Sequence, residues 1–176
     1  AHFESDVVLR NGRTLHIRPV RPEDAQSLLE LYRGLSRDSL YMRFFDVRTP
    51  DAALRDSPAT VDYETDFGVV GELGGEIAGI AHYFRSRMAP KMAEVAFAIA
   101  DRAQGCGIGT RLLEKLADVA RTKGIEMFRA EVLPENHKML DVFLGSGFNV
   151  TSRTADGAVS VSFPIARTAE FTAAAA

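Results

Sequence analysis

A run of alternating glycines is the part of this sequence best suited to chemistry. The run is Gln104-Gly105-Cys106-Gly107-Ile108-Gly109-Thr110, which follows an apolar segment and precedes a helical pattern. Alternate glycines remove the β-carbons that would hold a ligand away from the backbone. The first amides of a helix beginning at Ile108 lack partners within the helix, and the positive end of its dipole lies behind them. The pattern predicts a loop that holds a phosphate or diphosphate, the alternative being a flexible turn that only caps a helix.

Two common phosphate-binding patterns fit this loop poorly. A Walker loop has Lys and then Ser or Thr directly after its last glycine, whereas Gly109 is followed by Thr110 and Arg111. A dinucleotide-binding Gly-x-Gly-x-x-Gly motif follows the first strand of a parallel sheet. The glycine loop of this chain instead follows a predicted antiparallel meander, and single residues separate its glycines.

The elements that must position this loop change from helical to strand periodicity along the chain. Asn11-Gly12 predicts a hairpin turn, Pro22 opens a helix that ends near Gly34, and Ser36 and Thr49 begin two shorter helices. Alternation predicts strands at 7–10, 13–18, 66–73, 76–87, 92–100, 126–133, 148–152 and 158–163, and 3.6-residue spacing predicts helices at 108–123 and 136–144. The fold class is therefore α/β (α+β), with a mixed, mostly antiparallel central sheet and helices on both faces.

Composition excludes several classes of function. A length of 176 residues suits one domain, expected over 1–165, with a tail at 166–176 that frays. A formal net charge of -3 lacks the basic excess of a nucleic-acid-binding protein, and no apolar run approaches the roughly 18 residues of a membrane span. Cys106 is the only cysteine, which excludes an intrachain disulfide and a cysteine-based metal cluster. We expect a cytoplasmic protein with no metal, no nucleic acid and no membrane partner. Because residue 1 is Ala rather than Met, the chain is compatible with being part of a longer protein.

The glycine loop and the apolar segment before it resemble motif A of the GNAT acyltransferases. That motif is written Arg/Gln-x-x-Gly-x-Gly/Ala, and Gln104, Gly107 and Gly109 match its defined positions after the apolar segment Val95-Ala96-Phe97-Ala98-Ile99. The resemblance implies that the loop holds the diphosphate of acetyl-CoA.

A second stretch resembles the next GNAT motif, in which Asn precedes a helix that ends in Gly-Phe. Here Asn136 begins the predicted helix and Gly147-Phe148 follow it, and the order of elements agrees over about residues 7–163. The resemblance implies a sheet that is splayed between its fourth and fifth main strands, 92–100 and 126–133, when the N-terminal hairpin is counted as one.

The N-terminal part carries a narrower resemblance, to bacterial protein lysine acetyltransferases of the Pat type. It lies in Arg10-Asn11-Gly12-Arg13, in Ile17-Arg18-Pro19-Val20-Arg21-Pro22-Glu23-Asp24-Ala25 and in the segment from Leu35 to Phe45. It implies transfer of acetyl to the Nε amine of a protein lysine, with acyl-CoA synthetases among the targets and a regulatory domain that these proteins commonly carry in addition. A small-molecule amine or a protein N-terminus as acceptor, or an acyl-CoA sensor without turnover, remain alternatives.

The resemblance also implies roles for single residues. A lysine amine has a pKa of about 10.4 and must lose a proton before it attacks a thioester, and Glu94 would be the general base. Many relatives carry a Tyr proton donor at the position of Phe143, which can donate no proton and is expected to pack near the pantetheine arm. The residues expected to contact acetyl-CoA are Phe97, Ala98, Ile99, Gln104, Gly105, Cys106, Gly107, Ile108, Gly109, Thr110, Asn136 and Phe143.

Other residues have weaker claims to a role. His82 is an alternative base, although a single histidine in a strand is more often structural. Cys106 as an acyl carrier is the least favoured hypothesis. The aromatic side chains of Tyr41, Phe44 and Phe45 would shape an acceptor channel or belong to the core.

Overall fold

The computed structural model, which describes residues 4–34, 66–132, 134 and 137–166, is built around one central sheet. Its strands are β1 (Ser5–Val8), β2 (Thr14–Pro19), β3 (Asp66–Leu73), β4 (Glu76–Arg85), β5 (Met92–Ile99), β6 (Met127–Val132), β7 (Thr151–Ala155) and β8 (Ala158–Pro164). The described helices are α1 (Ala25–Gly34), α2 (Ile108–Thr122) and α3 (His137–Leu144), with 3-10 turns at Pro22–Asp24 and Asp101–Ala103. In the described ranges, no helix combines the length and apolar character needed to cross a membrane.

The sheet is antiparallel except at one junction. Its strand order is β1-β2-β3-β4-β5-β6-β8-β7, and the parallel junction joins β5 to β6. That junction pairs Met92–Glu94 with Met127–Arg129 and extends no further along β5. The predicted mixed sheet, splayed between its fourth and fifth main strands, is confirmed.

Two glycines in the central strands make room for neighbouring core side chains. A Cβ atom on Gly79 of β4 would lie 2.8 Å from Cδ1 of Ile99 and 3.4 Å from Cδ1 of Leu112. A Cβ atom on Gly71 of β3 would lie 2.9 Å from Cδ1 of Leu15. Because contacts of 2.8–2.9 Å are too short for a real side chain, the bare backbone at these positions makes room for the side chains of Ile99 and Leu15 beside Leu112 of α2.

An aromatic cluster joins the two halves of the sheet under the splay. The ring of Phe97 in β5 lies edge-on to Phe143 of α3, with centroids 5.8 Å apart. Phe143 contacts Phe163 of β8 at 5.7 Å, and Phe163 contacts Phe128 of β6 at 6.0 Å. Ring contacts of this kind contribute beyond their buried area, so they connect the half-sheets where strand pairing has stopped.

A buried ion pair fixes the entry into α1. The Arg18 guanidinium donates two 2.8 Å hydrogen bonds to the Asp24 carboxylate and one of 2.6 Å, from Nε, to Glu72. The Asp24 carboxylate also accepts the backbone amide of Arg21 at 2.7 Å. The network ties β2, β3 and the start of the first helix together, which gives a structural reason for Arg18 and Asp24 in the sequence.

Some predicted elements differ from the structure. The strand predicted at 148–152 begins only at Thr151, because Phe148 instead stacks on Phe163 at 5.1 Å and belongs to the core. That strand also ends three residues later than predicted, at Ala155, and the helix predicted from Pro22 starts as a 3-10 turn and becomes α-helical at Ala25. The bounds of the other described elements agree to within two residues. The helices predicted from Ser36 and Thr49, the aromatic residues Tyr41, Phe44 and Phe45, and most of the tail lie outside the described residues.

Candidate active site

The glycine loop leads into α2 through two residues in a conformation that suits only glycine. Gly105 has φ +83° and Gly107 φ +85°, and no atom lies within 4 Å of a Cβ built on either. Gly107 is the N-cap of α2 and has no side chain with which to cap it, and the first turn of α2 holds no acidic residue. The first amides of α2 lack partners within the helix and have the positive end of its dipole behind them, which suits an anion.

Gly109 has a different structural task. It lies inside α2 and is buried, and a Cβ at this position would come within 3.0 Å of Cγ2 of Val142 in α3. The third glycine of the loop therefore allows α2 and α3 to approach each other. Its contact with a ligand stays a prediction.

Side chains at either end of the loop hold its shape. Nε2 of Gln104 donates to the carbonyl of Ile99 at 3.2 Å and to Oδ1 of Asp101 at 3.3 Å, which ties the loop to the end of β5. Sγ of Cys106 accepts a hydrogen bond from Nδ2 of Asn11 at 3.5 Å. The Cys106 side chain thus contacts the β1–β2 turn, a partner that sequence reasoning did not identify.

One edge of β5 is open beside this loop. Phe97, Ala98 and Ile99 pair with β4 on one side, but the pairing with β6 on the other side ends at Glu94. The described part of the chain thus supplies no strand for that edge beyond Glu94. A ligand carrying amide groups can add to such an edge as an extra strand would.

Glu94 lies where the splay begins. It pairs with Phe84 of β4 and with Arg129 of β6, and its side chain is exposed. The open edge and the glycine loop lie further along the same strand, so an extended ligand anchored at the loop would end near this carboxylate.

His82 and Phe143 are both buried. His82 is 2% exposed and lies on the Glu94 face of β4, with its ring edge-on to Phe84 at 4.6 Å. Phe143 is fully buried beneath Phe97 and supports that ring from the core. The role of Phe143 beside a coenzyme stays a prediction, and Asn136 lies outside the described residues.

Arg129 and Glu131 were missed by the sequence reasoning. Both lie on β6, where Nη2 of Arg129 donates to Oε1 of Glu131 at 3.1 Å. Their position beside Glu94 depends on the parallel register of β5 and β6, and no local pattern in the sequence states it. In the residues that the structure describes, no three metal-ligating side chains come together.

A mixed sheet that opens between two parallel neighbours, with a glycine loop leading into a helix at the opening, is the architecture of an acyltransferase. The sequence profile of the acetyltransferase (GNAT) family matches residues 30–148. This chain belongs to that family.

Two curated relatives match most of the chain. Acetyltransferase Pat of Mycolicibacterium smegmatis is 39% identical over 136 residues, which cover 76% of this chain and 40% of Pat. Acetyltransferase PA5475 of Pseudomonas aeruginosa is 30% identical over 158 residues, which cover 87% of this chain and 84% of the relative. The chain thus spans less than half of the length of the Pat relative.

Solved structures give the same assignment. The GNAT domain of S. lividans PAT superposes with a TM-score of 0.84 at 37% identity, covering 93% of this chain and 98% of that domain. The cAMP-binding acyltransferase from Mycobacterium smegmatis superposes with a TM-score of 0.66 at 29% identity, covering 94% of this chain and 49% of that protein. The predicted resemblance to GNAT domains of the Pat type is confirmed.

Proposed function

We propose that this domain transfers an acetyl group from acetyl-CoA to the Nε amine of a lysine on another protein. The observation that carries the proposal is the alignment of three features along β5: the glycine loop at one end, the open edge in the middle and the exposed Glu94 carboxylate where the splay begins. The similarity to Pat over most of the chain supports protein lysine as the acceptor.

Acetyl-CoA fits the open features of this site. The amides between Gln104 and Thr110 would receive the diphosphate, and the amide groups of the pantetheine arm would pair with Phe97, Ala98 and Ile99. Asn136 would contact the arm from the opposite side. A Salmonella typhimurium acetyltransferase solved with acetyl-CoA has this fold, with a TM-score of 0.70 at 22% identity.

The chemistry is attack of a neutral amine on a thioester. Glu94 takes a proton from the acceptor ammonium, directly or through one water. The nitrogen lone pair forms the C–N bond at the carbonyl carbon, and amides on the edge of β5 stabilise the charge that develops on the carbonyl oxygen. The C–S bond then breaks, the sulfur takes the electron pair, and the nitrogen of the new amide releases its remaining extra proton to solvent.

The leaving group needs no protein acid in this scheme. Phe143 stands where many relatives carry Tyr, and its buried ring has no proton to donate. A thiol has a pKa of about 8.5 by analogy with cysteine, so coenzyme A leaves as a thiolate and takes its proton from solvent.

The proposal is tested with labelled acetyl-CoA and purified acyl-CoA synthetases as candidate acceptors. We expect label on one or a few lysine side chains, identified by peptide mapping. Label found only on N-terminal amines, or only on small amines, would show that the acceptor is that amine and not a protein lysine. Tight acetyl-CoA binding without transfer to any amine would instead favour a sensor.

A further inference from the structure

One face of the C-terminal half of the sheet is exposed and polar. Paired residues of neighbouring strands point to the same face of a sheet, and the pairing aligns Glu94 with Arg129 and aligns Glu131 with Ser160 and Arg153. The charged side chains in this group are exposed. We call Glu94, Arg129, Glu131, Ser160 and Arg153 the open face.

The opposite face is filled by the protein itself. Phe128 and Phe163 point to that side and are fully buried against the aromatic cluster that includes Phe143 of α3. Among the described residues, the side of this half-sheet that the protein does not fill is the open face, and Glu94 lies on it.

The charges of the open face are only partly balanced. Oε1 of Glu131 accepts from Nη2 of Arg129 at 3.1 Å and from the Ser160 hydroxyl at 2.7 Å. Arg153 and Glu94 form no ion pair with any residue in the described ranges. The face therefore presents one carboxylate at the splay and one guanidinium on β7.

The register sets the separation of these two charges. Glu94 and Arg153 lie three strands apart in the sheet, and Arg153 aligns with a β6 residue two positions beyond Arg129. Strand spacings near 4.8 Å and a rise near 3.4 Å per residue put their backbones roughly 15 Å apart.

We propose that the open face docks the acceptor protein and that Arg153 pairs with an acceptor carboxylate roughly 15 Å from the reactive lysine. This inference rests on the proposed lysine acetyltransferase function. The partner that fits is a protein surface on which a lysine faces Glu94 and an Asp or Glu faces Arg153. A pair of this kind steers the approach of the acceptor and fixes its register more than it adds affinity.

Two capped peptides test the inference. Each peptide carries one lysine. The residues four positions before and after it are Glu in one peptide and Gln in the other. In an extended chain these flanking residues lie about 14 Å from the lysine. At low salt we expect the wild-type chain to acetylate the Glu peptide with a kcat/KM about threefold higher than that for the Gln peptide. The difference should lie in a lower KM, and it should be small because exposed ion pairs are individually weak. The difference should vanish at high ionic strength.

Variants separate Arg153 from charge in general. In R153Q the ratio of kcat/KM for the two peptides should fall to one. R10Q removes an exposed arginine beside the turn at the other edge of the sheet and should keep the wild-type ratio.

The outcomes distinguish this inference from the function on which it rests. Equal rates for both peptides in the wild type, or a preference that survives in R153Q, would overturn docking through Arg153 and leave lysine transfer intact. If neither peptide nor any protein lysine were acetylated while acetyl-CoA still bound, both proposals would fall.

Discussion

The guanidinium of Arg18 and the carboxylate of Asp24 face each other as a fork, joined by two 2.8 Å hydrogen bonds in the interior. Such bidentate pairs are among the strongest polar contacts in proteins. Both groups are more than nine-tenths buried, so removal of one partner leaves the other charge with too few partners.

Replacement of Asp24 by Asn should therefore destabilise the fold. We expect D24N to lower the free energy of unfolding by about 3 kcal/mol, measured by urea denaturation near neutral pH. E23Q changes the exposed neighbour and should stay within about 0.5 kcal/mol of wild type. A D24N variant as stable as E23Q would show that Glu72 alone satisfies Arg18.

The same carboxylate should make stability fall in acid. Burial alone would raise the pKa of Asp24, but hydrogen bonds from Arg18 and the Arg21 amide outweigh burial and hold its pKa below the ordinary value. A carboxyl group whose pKa is lower in the folded state stabilises the fold fully at a pH above its unfolded pKa, which is near 3.8. This contribution is lost as the pH falls through the folded pKa. Below about pH 4 the wild type should lose more stability than D24N, and urea midpoints measured across this pH range would show it. Parallel curves for the two proteins would show that Asp24 does not cause the loss of stability in acid.

Gly107 offers a test of the anion site in the loop. We expect G107E to abolish acetyl-CoA binding in calorimetry, because bulk and negative charge would enter the space in front of the helix amides. G157E is the control for the backbone strain that any side chain causes at positive φ. Gly157 has φ +75° and open space around it, and it lies in the β7–β8 turn. Equal coenzyme affinity in both variants would place the diphosphate elsewhere.

Gly109 and Val142 should behave as a coupled pair. G109A should cost about 1–3 kcal/mol of stability, because the new methyl group meets Val142 at 3.0 Å. V142A removes the clashing methyl groups, so the double variant should be more stable than the sum of the single effects predicts. Additive losses in thermal or urea unfolding would show that the helices separate freely.

Glu94 is the residue on which the chemistry depends. E94Q should keep acetyl-CoA affinity but lower the rate of transfer to lysine at neutral pH by about 100-fold or more. E23Q serves again as the matched control and should transfer acetyl at the wild-type rate. Turnover of E94Q near the wild-type value would exclude the carboxylate from proton transfer.

Much of the fold was predictable because its signals are local. The strand predicted at 66–73 has the observed bounds, and Gly74-Gly75, both at positive φ, form the turn that ends it. Phe148 was assigned to a strand because its neighbours alternate, but a distant contact with Phe163 outweighs that preference.

The geometry of the candidate site was predictable only where it depends on the local backbone conformation. The sequence indicates the loop at positions 105 and 107 because few residues other than glycine adopt the positive φ angles found there. The packing role of Gly109 depends on Val142 in another helix, and the alignment of Glu94 with Arg129 depends on a crossover through α2. Neither relationship leaves a pattern within a short window of sequence.

The splay has a mechanical consequence. Hydrogen-bonded ladders fix the separation of strands to a few tenths of an ångström, but β5 and β6 share such a ladder over only three positions. Beyond it, ring contacts of Phe143 with Phe97 and Phe163 connect the two sides, and each such pair contributes only about 0.5–1.5 kcal/mol beyond its buried area. Beyond residue 94 the separation of β5 and β6 is therefore set by side-chain packing, whereas at the three paired positions it is set by backbone hydrogen bonds.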